Sequence, residues 1–91
     1  MSSPTIADFM FDPDNEDKIG RHGLTTSQVL QVLDSEHVVA PNRKGRRANY
    51  LIIGRDHGGA AITIPVEATN DPFVWRPITA WPSKEHEEAK L

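Results

Sequence analysis

The sequence predicts an α+β fold: helices packed on one face of an antiparallel sheet of about four strands. Helix caps with helical apolar spacing occupy residues 12–36, and β-branched runs take over from residue 37 around a turn-like RDHGG. The chain then ends in charged helix formers. Ninety-one residues suffice for one core, so 1–91 is expected to be a single domain, with 1–8 and 89–91 loose.

Taken in order, Phe9, Met10 and Phe11 suggest a short first strand. Asp12 before Pro13 has the pattern of an N-cap followed by a helix-starting proline. Asp14, Glu16 and Asp17 suit the positive end of that helix, Lys18, Arg21 and His22 suit its negative end, and Gly23 stops it. A second helix follows, with Thr25 or Thr26 as cap and Val29, Leu30, Val32 and Leu33 as its apolar face. Residues 37–40 form a short strand, Pro41-Asn42 breaks it, and NRKGRR makes a cationic loop around Gly45. Residues 51–53 and 60–66 read as a hairpin across RDHGG. FVWRPITAW is a further strand whose Pro77 has no N–H to donate and so belongs at an edge or bulge. PSKEHEEAKL reads as a terminal helix opened by proline.

Composition excludes several chemistries. With no cysteine there is neither a disulfide framework nor a thiolate nucleophile or ligand. The histidines at 22, 37, 57 and 86 lack metal-ligand spacing, and no serine sits in a nucleophile elbow. Without an apolar run long enough to span a bilayer or a signal-peptide pattern, the chain is expected in the cytoplasm, away from membranes. Net charge is −3, unevenly spread: seven carboxylates in residues 1–36 face only Lys18 and Arg21, whereas residues 37–81 hold six cations against three carboxylates. A polyanion therefore suits the middle of the chain and not its beginning.

The block FDPDNEDKIGRHGL resembles the opening of BrnT-type toxins through Phe11-Asp12, Asn15, Lys18 and His22-Gly23. IIGRDHGG and WRPITAW are similar to two further segments of that family, so the resemblance spans roughly residues 9–88. It implies a RelE-like domain and a metal-independent endoribonuclease without cofactor. A cognate antitoxin would neutralise it and carry any contact with operator DNA, and further assembly of toxin–antitoxin complexes stays open. Trp81 stands where the family usually has arginine, Ala60 or Ala61 replaces a basic residue, and a C-terminal tyrosine is absent. These departures favour an alternative: an inert RelE-like interaction or regulatory module.

RNA cleavage without a metal needs a base for the 2′-hydroxyl, positive charge at the phosphate and an acid for the 5′-oxygen. Lys18, His22 and Arg76 are the first candidates for catalysis. Arg21, Arg43, Lys44, Arg46, Arg47, Arg55 and His57 are candidates for substrate contact, and Trp75 and Trp81 for a partner patch. Plainer roles compete. Lys18 and Arg21 stand four residues after Asp14 and Asp17, Arg76 suits a cross-strand ion pair, and tryptophans in strands are commonly core.

Overall fold

A computed structural model describes residues 4–91; its dimensions are 30 × 30 × 25 Å. The elements are β1 (Asp8–Phe9), α1 (Pro13–Arg21), α2 (Thr26–Gln31) with a 3₁₀ turn at Val32–Asp34, β2 (His37–Pro41), β3 (Tyr50–Arg55), β4 (Ala61–Ala68), β5 (Val74–Pro77), β6 (Trp81–Pro82) and α3 (Glu85–Glu88). The α+β class therefore holds, but the sheet is mixed and six-stranded, in the order β1-β5-β4-β3-β2 with β6 also on β4. The expected all-antiparallel sheet did not include the pairing of the first strand: β1 lies parallel to β5, pairing Asp8 with Val74 and Phe9 with Trp75. Residues so far apart in the chain leave no local turn signal for that pairing.

Both helices are built from their caps inward. Asp12 accepts the Asn15 N–H at 2.9 Å, while Asn15 Oδ1 accepts the Asp12 N–H at 2.9 Å, a reciprocal capping box. At the other end Gly23 (φ 78°) takes the left-handed conformation, and the Leu24 N–H returns to the Ile19 carbonyl at 3.2 Å, a Schellman closure. Thr25 caps α2 with Gln28 in the same reciprocal way. Ile19, Val29 and Val32 are fully buried with Ile52, Ile62, Ile64 and Val66, which puts α1 and α2 on one face of the sheet. Leu30, expected on that face, is instead exposed.

Two buried details hold this layer together. Asn15 is fully buried and donates through Nδ2 to the Met10 carbonyl (3.1 Å) and the Pro77 carbonyl (3.0 Å), tying the start of α1 to the end of β5. Gly54 faces Val32 and His37, where an added Cβ would come within 2.6 Å of Val32 Cγ1 and 2.9 Å of His37 Cβ. A methyl there would overpack the core. Packing starts earlier than expected, because Ile6 is buried and the N–H groups of Ala7 and Asp8 both reach the Phe73 carbonyl. Residues 1–3 of the expected loose start lie outside the described residues.

β5 and β6 are two pieces of one interrupted strand along β4: Glu67 pairs with Arg76, and Thr63 with Trp81. The interruption accommodates Pro65 in the middle of the sheet. Its carbonyl accepts the Ile78 N–H at 2.8 Å, so its nitrogen, which has no proton to give, faces the gap between the two pieces. The same gap reverses strand parity. Trp75 is buried among the helix-facing residues and meets Tyr50 edge-on at 5.4 Å, whereas Trp81 lies beside Thr63 on the opposite face. The two tryptophans expected in one partner patch are thus split between the two faces. Pro82 belongs to β6, so α3 begins three residues after it and not at the proline.

No helix among the described residues is long and apolar enough to cross a membrane.

Candidate functional site

The face of the sheet away from α1 and α2 carries a groove of about 550 Å³. Its floor is apolar, with Leu51, Pro65 and Trp81. Arg43 and Arg46 line one part of it, and Lys84, His86 and Lys90 come from α3 and its flanks. The arginines are presented by a tight loop. Asn42 Nδ2 donates to the Ala48 carbonyl at 3.0 Å, its Oδ1 accepts the Arg43 N–H at 2.9 Å, and Gly45 turns the chain at φ 81°.

Trp81 is fixed in this groove by Glu87. Its indole Nε1–H donates to Glu87 Oε1 at 3.0 Å, and the Lys84 N–H donates to the same oxygen at 2.8 Å. Burial pushes the Glu87 carboxyl pKa up, but hydrogen bonds from Lys84, Trp81 and Thr63 outweigh it and leave the pKa below its ordinary value. The one carboxylate among the groove residues is thus occupied from within. Lys84 Nζ stands 6.0 Å from the Trp81 ring centre, and the exposed His22 ring lies 6.5 Å from Trp81.

Ion pairing sorts the cations into two sets. Lys18 meets Asp14 (3.3 Å), Arg21 meets Asp17 (2.7 Å), Arg47 meets Glu67 (2.8 Å), Arg55 meets Glu88 (3.1 Å) and Arg76 meets Asp12 (2.7 Å). Arg43, Lys44, Arg46, Lys84 and Lys90 form no ion pair among the described residues. Four of these five line the groove, and Lys44 lies in the loop between Arg43 and Arg46.

Arg76 is the centre of the paired set. Besides Asp12, it approaches Asp14 (Nη2, 3.4 Å) and its cross-strand neighbour Glu67 (Nη1, 3.5 Å), and only 13% of its side chain is exposed. The Asp12 hydrogen bond raises the Arg76 pKa further, and the same bond, followed by the Asn15 N–H, lowers that of Asp12. Lys18 joins the cluster through Asp14, whose Oδ2 it shares with Arg76. The tail of the first helix and the last long strand therefore do meet, at a carboxylate. His22, one turn beyond Lys18 on the helix, points toward Trp81 instead.

The other sequence candidates lie elsewhere. Arg55 and His57 line a separate cleft of about 710 Å³ with His37 and Leu91. There His57 Nε2 is 3.3 Å from Asp34 and its N–H donates to Gln31, while Asp56 is buried and accepts from the Ala60 N–H and Gln28. Those two bonds, the Ala60 one foremost, hold the Asp56 pKa down. Trp75, proposed for a partner patch, is core. Sequence reading missed Lys84, His86, Glu87 and Lys90 because KEHEEAKL resembles a solvated face, and their convergence depends on where α3 docks. It also took Asp14 as a helix-end charge, with no sign that Arg76 would reach it.

Comparison of the sequence with protein-family models and with curated proteins gives no match.

Proposed function

We propose that this chain is a BrnT-like, RelE-like toxin, an endoribonuclease that binds single-stranded RNA across the open face of its sheet and is held inactive by a cognate antitoxin. The observation that carries this reading is the sorting of cations: among the described residues, four of the five without carboxylate partners line one groove floored by an indole. Unpaired cations attract phosphates and release their counterions, and an aromatic face accepts an unstacked base.

In this reading phosphates lie along Arg43, Arg46, Lys84 and Lys90, and the scissile phosphate lies on the side of Trp81 where His22 stands. His22 takes the proton of the 2′-hydroxyl, whose oxygen bonds to phosphorus as the bond to the 5′-oxygen breaks. A 2′,3′-cyclic phosphate and a 5′-hydroxyl result, with water supplying the proton for the 5′-oxygen. Lys18 and Arg76 would add positive charge at the phosphate once a carboxylate of their cluster is displaced.

A second reading is favoured by the carboxylates already bound to Lys18 and Arg76: the groove binds an acidic partner and no RNA is cut. Incubating the purified chain with end-labelled single-stranded RNA in chelator separates the two. Fragments ending in cyclic phosphate, absent with His22→Ala, are the expected result; intact RNA at every protein concentration would leave the interaction module.

A further inference from the structure

Lys18 Nζ and Arg76 Nη2 converge on one atom, Asp14 Oδ2, at 3.3 and 3.4 Å. Two cations meeting at a single anionic oxygen form the surroundings that a phosphate oxygen seeks. We propose that Lys18 and Arg76 make a phosphate site whose resident occupant is the Asp14 carboxylate, which an incoming phosphodiester must displace.

The three carboxylates around Arg76 are held unequally. Asp12 is close to Nε at 2.7 Å and is fixed as the cap of α1. Glu67 is already engaged by Arg47 through two hydrogen bonds, at 2.8 and 3.3 Å. Asp14 is the loose member, with 59% of its side chain exposed and its two cation distances at 3.3 and 3.4 Å. The guanidinium therefore stays in place when Asp14 swings into water, because Asp12 still accepts from its Nε–H. Nη1 is buried 3.5 Å from Glu67 Oε1, which adds to the hold on the guanidinium.

Charge supports displacement in one direction only. Lys18, Arg47 and Arg76 balance Asp12, Asp14 and Glu67, so the occupied cluster is neutral and repels no cation and attracts no anion. With Asp14 removed it carries one positive charge beside a preset guanidinium. The source of the phosphate rests on the RNA reading above; the anion site itself does not.

The test compares wild type, Asp14→Asn, Asp14→Ser and a control, Glu16→Gln, an exposed first-turn carboxylate that forms no ion pair among the described residues. Two probes are titrated: a short single-stranded RNA made uncleavable by 2′-O-methylation, followed by fluorescence anisotropy, and inorganic phosphate, followed by NMR shifts of the Lys18 and Arg76 side chains. Both Asp14 variants are expected to bind each probe about tenfold more tightly than wild type. Glu16→Gln should show no gain, and adding Lys18→Gln to Asp14→Asn should abolish it. No gain in folded Asp14 variants, or an equal gain in Glu16→Gln, overturns the proposal. Wild-type cleavage of RNA without a gain in the Asp14 variants sinks this inference alone. A phosphate gain in a chain that never binds RNA supports it and removes the RNA reading.

Discussion

Arg76 and Lys84 lie on β5 and at the start of α3, eight residues apart in the chain, yet their surroundings differ in kind. Arg76 sits among three carboxylates with 13% of its side chain exposed, whereas Lys84 holds no ion pair among the described residues and leans over an indole. The first region is a balanced ion-pair cluster that fastens a helix cap to two strands. The second leaves its charges uncancelled on a groove wall. Removing a cation from the first should be felt in folding, and removing one from the second in binding.

The largest effect is expected beneath the balanced region. Asn15→Ala deletes the side-chain half of the capping box and both ties to Met10 and Pro77, and should cost about 3 kcal/mol in denaturant unfolding. Arg76→Met comes next, at about 2 kcal/mol, since it removes the closest cation of the partly buried Asp12 and the centre of the ion-pair cluster. A stability loss below about 0.5 kcal/mol would show that the cluster is ordinary surface pairing and erase the contrast.

Replacing Arg43, Arg46, Lys84 and Lys90 together by glutamine should leave stability within about 0.5 kcal/mol. Affinity for single-stranded RNA should fall at least tenfold, and the slope of log affinity against log salt should shrink by about 0.7 for each phosphate no longer neutralised. An unchanged slope would move the RNA site away from the groove.

Acid sharpens the comparison, because each region holds a carboxylate with a depressed pKa. Asp12 and Glu87 lie below their ordinary values of 3.8 and 4.5. Their contributions are full above those values, which hold in the unfolded chain, and are lost as pH falls through the lower folded ones. Thermal unfolding followed from pH 7 downward should therefore lose stability first near 4.5 and then below 3.8, with Glu87→Gln flattening the upper step and Asp12→Asn reducing the lower one, which Asp56 shares. The smallest effect belongs to Trp81→Phe, which keeps an aromatic face but drops the indole bond to Glu87; RNA affinity should weaken about threefold with a stability change under about 1 kcal/mol.

What could be read from the chain alone was local. Asp12-Pro13, Gly23, Thr25 and RDHGG each act within a few residues, so helix ends and the hairpin turn were legible from caps, a left-handed glycine and β-branched runs. The sequence also showed where the charges lie. It could not show which of them are cancelled.

That was decided by tertiary structure, since an ion pair depends on distance in space. Arg76 meets Asp12 across 64 residues of chain, and Arg47 meets Glu67 across 20. The broken strand sends Trp81 to the face opposite Trp75, and the docking of α3 brings Lys84 and Lys90 to the same groove as Arg43 and Arg46. By itself the sequence determined the elements and the supply of cations. Only the fold decided which cations hold the protein together and which are left to face something else, because Coulomb attraction and desolvation act through space and not along the chain.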